Sequence, residues 1–234
     1  MSKKPLPLWL LEAPLIVLTA LIIIPIVIRL FEVFGLSREN SIILSMLFQQ
    51  FSFLIGTLYL KKKYPIYPED ILESKLDWKA FWRSLLWLPA ILLISILGTT
   101  LSTQLFAPLL GPEKLQSILV QETTRVSVWS LNSWRLVLAG FIVCLVGPVS
   151  EELFFRGFFL SRVTHTYSKR AGYILTSLFF ALPHFYLINS IPIFLLSLIL
   201  CYMALNENIW AAVGAHVFFN TTVFINMLLH SGVS

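Results

Sequence analysis

Charged residues are scarce in this chain. Asp, Glu, Lys and Arg together make up 12% of its 234 residues, against 57% hydrophobic residues. Soluble domains carry about 25% charged residues, so a water-soluble globular fold is excluded. Cysteine is scarcer still. Cys144 and Cys201 both fall inside apolar stretches and form neither a CxxC pair nor a disulfide framework, which excludes a stapled secreted scaffold and leaves buried thiols without redox chemistry. No internal repeat, low-complexity tract or HExxH pair is present, and the last absence excludes the usual helical zincin arrangement. Short segments of alternating hydrophobicity are missing too, which argues against a β-barrel. The apolar run behind Lys3 and Lys4 is too long for a signal-peptide core and has no small-residue cleavage site after it, so it reads as a first membrane span.

What is present is hydrocarbon-compatible sequence from end to end. Mean hydropathy is +0.83, and apolar runs recur that are long enough to cross about 30 Å of hydrocarbon. The expected fold is all-α, a polytopic transmembrane bundle of about seven to eight spans. Seven are placed near 8–34, 41–60, 80–110, 134–161, 171–188, 192–205 and 209–229. Pro25 predicts a kink in the first. Arg29 is expected to snorkel from its far end, and Gln49 and Gln50 in the second are expected to bond neighbouring helices in a structural role. Between the third and fourth spans, 113–124 predicts a short interfacial helix with Leu115, Ile118 and Leu119 on one face. The chain divides into N-terminal spans and loops (1–133), a helical core (134–225) and a C-terminal end (226–234).

The net charge of +5 does not indicate nucleic acid, because the basic residues flank the spans, where topology and anionic lipid account for them. Lys3, Lys4, Lys61, Lys62, Lys63, Lys75, Lys79, Arg83, Arg162, Lys169 and Arg170 fall on one side, and Arg38, Lys114, Arg125 and Arg135 on the other. That bias of eleven to four predicts a cytoplasmic N-terminus in a multi-pass protein of the cell membrane.

Against this background Gly147 to Arg156 stands out, because it puts Glu151, Glu152 and Arg156 inside an apolar span. An ionisable group at the bilayer centre costs about 2.5–3.5 kcal/mol on insertion scales unless it finds a partner or water. Glu151 lies about ten residues, roughly 15 Å, from one end of its span; His184, His216 and Asn220 fall at similar depths in the fifth and seventh. Glu152 and Arg156 are spaced i,i+4, as are His216 and Asn220, so each pair shares a helix face. Pro148 is expected to kink or open its helix just before the two carboxylates, where water would enter. A lone histidine in an apolar helix is more often structural, and His165 and His230 at span ends keep that reading. Glu152 with Arg156 is, taken alone, as well explained by a buried ion pair. Six such groups on three helices at one depth point to a shared site that activates water.

The pattern resembles the CAAX protease and bacteriocin-processing (CPBP, or Abi) family of intramembrane proteases, which includes the CAAX prenyl protease 2 enzymes. Glu151-Glu152-Leu-Phe-Phe-Arg156 fits EExxxR, Phe180-Ala-Leu-Pro-His184 fits FxxxH, and His216-Val-Phe-Phe-Asn220 fits HxxxN. The resemblance covers about 134–225. It implies an intramembrane endopeptidase acting on a peptide or prenylated-protein substrate, CAAX-type or a leader peptide, without a covalent intermediate. By position, Glu151 would be the general base, His184 would hold the water, His216 and Asn220 would donate to the oxyanion, and Glu152 with Arg156 would support them. Glu151, His184 and His216 would also supply three zinc ligands with one position left for water. The residues are compatible with either chemistry; a reaction that requires no cofactor is favoured, with zinc the alternative. The expected partners are membrane lipids and the substrate. A transporter or proton pathway also places carboxylates and histidines at mid-membrane, but inverted repeats are absent. A non-catalytic binding or bacteriocin-immunity protein is the other alternative.

Overall fold

The computed structural model describes residues 7–64, 71–124 and 133–230. Among these residues every regular element is helical. Five helices are long and apolar enough to cross a membrane: α1 (Trp9–Phe34), α2 (Arg38–Lys63), α3 (Trp78–Leu110), α5 (Trp134–Thr166) and α8 (Ile209–Leu229). Between them lie α4 (Pro112–Thr124), α6 (Lys169–Ala181) and α7 (Ser190–Asn206).

Sequence chemistry sets the ends of the helices. Ser37 caps α2 by accepting from the Asn40 N–H, Asp77 caps α3 through the Ala80 N–H, and Ser168 caps α6 through the Ala171 N–H. Each cap satisfies a backbone donor that would otherwise be orphaned near the membrane. Gly35, at φ 93°, makes the left-handed turn that joins α1 to α2, a conformation that disfavours side chains with a Cβ. The α6 helix departs from the expected full span. The fifth apolar run was expected to stay helical to Ile188, but α6 ends at Ala181, followed by a single tight turn over Leu182–His184 and a left-handed Phe185. Pro183 has no N–H to continue the helical ladder, so the chain turns there. At 1.5 Å per residue, α6 is about 20 Å long and α7 about 26 Å, a hairpin whose tip holds His184. The helix predicted over 113–124 is present as α4.

Contacts at the helix ends sort the bundle into two faces. Lys63 pairs with Glu12 at 2.6 Å, Arg83 with Glu207 at 3.6 Å, and Lys61 with Glu73 at 2.7 Å, which gathers the Lys-rich segments at one end. At the opposite end the Arg135 Nε donates to Asn40 Oδ1 at 3.0 Å. Lys3, Lys4 and Arg125 of the charge bias lie outside the described residues.

The interior is aromatic. Phe53 of α2 packs against Phe154 and Phe155 of α5, which meet Phe179 and Phe180 of α6 at centroid distances of 5.0–6.5 Å. Such pairs add about 0.5–1.5 kcal/mol each beyond area burial. Large apolar side chains on the outside, among them Leu86, Leu109 and Val137, are exposed and suit contact with lipid. Where α8 crosses α3 the backbones touch: a Cβ on Gly214 would lie 2.5 Å from the Phe81 carbonyl oxygen.

Candidate functional site

The site is built from the middle of α5. Here the backbone departs from regular helix without breaking. Ile142–Val146 forms a π-helical turn, in which the Gly147 N–H donates to the Ile142 carbonyl, five residues back. The next carbonyl in that register belongs to Val143, and its donor would be residue 148, a proline with no N–H. The Val143 oxygen accepts instead from the Asn220 side-chain amide at 3.0 Å. The irregularity expected before Pro148 takes the form of this π-helical turn. The chain stays helical, a widened turn absorbs the ring, and the orphaned carbonyl anchors a polar residue of α8. A second π-helical stretch, Leu153–Leu160, follows directly. Such bulges concentrate at functional sites.

The two adjacent glutamates have separate environments. Glu152 is completely buried. Its Oε1 accepts from Arg156 Nη1 at 2.8 Å and from His216 Nδ1 at 2.8 Å. Arg156, also fully buried, donates through Nη2 to the Ser197 hydroxyl at 2.7 Å and lies 4.4 Å from the centre of the Phe180 ring. One ionic cluster therefore ties α5, α6, α7 and α8 together beneath the site. Glu151 is only half-buried and lines a cavity of about 780 Å³. His184, His216 and Asn220 line the same cavity. The structure accordingly brings Glu151, His184, His216 and Asn220 to one space and places Glu152 and Arg156 behind it.

Hydrogen-bond partners fix how the histidines are presented. His184 Nδ1 lies 2.7 Å from the Phe180 carbonyl oxygen, which can only accept, so Nδ1 carries a proton. In the neutral ring Nε2 is then the acceptor. The Glu152 carboxylate sets the same tautomer for His216 through Nδ1. Phe180 stands between them, 5.0 Å from the His184 ring and 5.9 Å from the His216 ring. Among the described residues no group of three His, Cys, Asp or Glu side chains is arranged to hold a metal ion.

Two residues of the site lay outside the motif reasoning. Gln50 of α2, 6% exposed, accepts from the Ser150 hydroxyl at 2.5 Å and lines the cavity beside Glu151. Its sequence signal, an amide at mid-span, was read as helix packing alone. Glu122 of α4 is 9% exposed and lines the cavity from the other side. The i, i+3, i+4, i+7 spacing from Leu115 through Ile118 and Leu119 to Glu122 was the available signal, because a carboxylate stands where the buried stripe calls for an apolar residue. The cavity runs from Glu151 towards Arg29, Arg38 and Glu122. These belong to the end opposite the Lys-rich segments.

Residues 133–222 match the family model of the Rce1-like type II CAAX prenyl endopeptidases. This similarity covers less than half of the chain. The matched segment contains α5 to α7 and the start of α8 as far as Asn220, hence all three motifs. No curated protein and no solved structure matches the chain. Five apolar helices of crossing length suit a multi-pass membrane protein, and the similarity over residues 133–222 to Rce1-like endopeptidases supports an intramembrane endopeptidase.

Proposed function

We propose that the protein hydrolyses a peptide bond within the membrane by a water molecule activated by Glu151. The observation that carries this reading is the division of labour between neighbouring carboxylates: Glu152 is consumed by Arg156 and His216, while Glu151 lines the cavity. Glu151 takes a proton from water, and the resulting hydroxide attacks the carbonyl carbon of the scissile bond. The same carboxyl then delivers that proton to the departing amine nitrogen, so the base is regenerated with each cleavage. His184, with Nε2 as acceptor, holds the second hydrogen of the water. Asn220 uses one amide hydrogen on Val143, which fixes its rotamer and directs the other to the oxyanion. His216, held through Nδ1 by the Glu152 carboxylate at 2.8 Å, borders the same space and polarises the oxyanion region. Donors of this kind contribute about 2.7–4 kcal/mol each at a site that excludes water.

The charge bias supports an N-terminus in the cytoplasm and a location in the cell membrane. The cavity then opens towards the outer face, which favours a leader-type or other exported peptide over a cytosolic prenylated protein. The reading is tested by incubating membranes carrying wild-type or Glu151→Ala protein with a panel of hydrophobic leader peptides and a prenylated CAAX peptide. Cleavage by wild type and none by the inserted variant is expected. Equal cleavage by both would remove Glu151 from its role, and no cleavage by wild type would favour a binding protein.

A further inference from the structure

Glu122 has no role in the three motifs and lies outside the Rce1-like segment, yet it makes the densest set of hydrogen bonds to backbone in the site. Its Oε1 accepts from the backbone N–H groups of Leu187, at 2.5 Å, and Ile188, at 3.1 Å. Its Oε2 accepts from the Asn189 backbone N–H at 3.0 Å and the Asn189 side-chain amide at 2.9 Å. Three consecutive donors in the turn after His184 thus converge on one carboxylate from a helix more than sixty residues earlier. They lie just before the N-terminal end of α7, where Asn189 is the capping residue and makes no side-chain cap of its own. An anion is favoured at that end, whereas in the last turn of its own helix α4 a carboxylate opposes the helix dipole. Glu122 is therefore explained by its contacts with the hairpin and not by α4.

His184 is held on one side by its bond to Phe180 in α6 and on the other by this turn, which begins with the left-handed Phe185. We propose that Glu122 is a positioning residue of the endopeptidase: its carboxylate clamps the turn over 187–189 and so fixes where His184 presents Nε2 in the cavity. The clamp needs a carboxylate and not merely a polar side chain. All four partners are donors, and an amide would turn an NH₂ group towards two of them. The clamp also seats α4 against the mouth of the cavity.

The kinetic arm of the test rests on the endopeptidase reading; the exchange arm does not. Wild type, Glu122→Ala, Glu122→Gln and Glu122→Asp are compared in nanodiscs by hydrogen–deuterium exchange over 185–190 and by kinetics on a peptide that wild type cleaves. Amide exchange at Leu187, Ile188 and Asn189 is expected to rise at least tenfold in the Ala and Gln variants and to be largely restored by Asp. Misplacement of a catalytic group by about 1 Å can cost on the order of 10²-fold. The expected result is thus a tenfold to hundredfold fall in kcat, with KM and melting temperature little changed, and recovery in Glu122→Asp. Should Glu122→Ala fail to insert, Asn189→Ala removes a single bond to the clamp and is expected to give a smaller loss in the same direction. Wild-type exchange and kcat in Glu122→Gln would overturn the proposal, as would a loss explained wholly by a lower folded fraction. Faster exchange with unchanged kcat would show a clamp that positions nothing. If wild type cleaves no peptide, the exchange result still decides whether the clamp exists, and only the endopeptidase reading fails.

Discussion

Replacing Pro148 with alanine should raise stability or leave it unchanged while lowering activity. The substitution restores an N–H at the position whose partner in the local register is the Val143 carbonyl, now occupied by Asn220 at 3.0 Å. A regained backbone hydrogen bond is worth about 0.5–1.5 kcal/mol net, and the displaced side-chain bond is of similar size, so the two nearly cancel. Relief of the proline itself adds up to about 3 kcal/mol in a regular helix, less here because the widened turn already accommodates the ring. Activity should move the other way, since Asn220 loses the contact that aims its free amide hydrogen. Removing an oxyanion donor outright costs about 10²–10³-fold in kcat, so Asn220→Ala sets the floor and Pro148→Ala should fall between it and wild type. The double variant should match Asn220→Ala, because both changes act through one contact. The assay is kcat on a peptide that wild type cleaves, alongside denaturant-induced unfolding in micelles. Multiplicative losses in the double variant, or wild-type kcat in Pro148→Ala, would refute this reasoning.

Other parts of the account make their own demands. Arg156→Met should destabilise the fold by about 3–5 kcal/mol, because it leaves the fully buried Glu152 without its cation, and adding Glu152→Gln should recover part of that loss; additive unfolding energies would show that the pair is not coupled. Gly214→Ala should cost on the order of 1–3 kcal/mol, read as a lower unfolding midpoint, since its Cβ would press to 2.5 Å from the backbone oxygen of Phe81, which cannot move as a side chain would. A cysteine placed at Lys114, in the first turn of α4, should react with a membrane-impermeant maleimide in intact cells, and one at Lys169 only after permeabilisation; the reverse pattern would invert the proposed topology.

Much of this site was readable because charge inside hydrocarbon is costly and is therefore concentrated where it is used. Glu151, His184, His216 and Asn220 stood out for that reason, and they line one cavity. Length and hydropathy likewise specified the helical bundle, and α4 emerged from its apolar stripe. The unread parts share a physical cause. Gln50 meets Ser150 across a separation of 100 residues, and Glu122 meets Leu187 across 65, and no local pattern announces such pairs. The part Pro148 plays also needed coordinates, because the π turn before it leaves the Val143 carbonyl where Asn220 can reach it. The separate roles of Glu152 and Glu151 also required three dimensions: adjacent in sequence, they point into different surroundings, and only the partners of Glu152 reveal which is engaged.

The most direct measurement is cleavage by Glu151→Gln, a near-isosteric change that keeps the side chain's size and removes its capacity to accept a proton from water. Under single-turnover conditions in nanodiscs, with a peptide that wild type cleaves, the account predicts a loss of at least about 10²-fold, the lower range of a general base. Peptide affinity and unfolding midpoint should stay close to wild type. Cleavage by Glu151→Gln at the wild-type rate would contradict the account, because Glu151 would then not be the base.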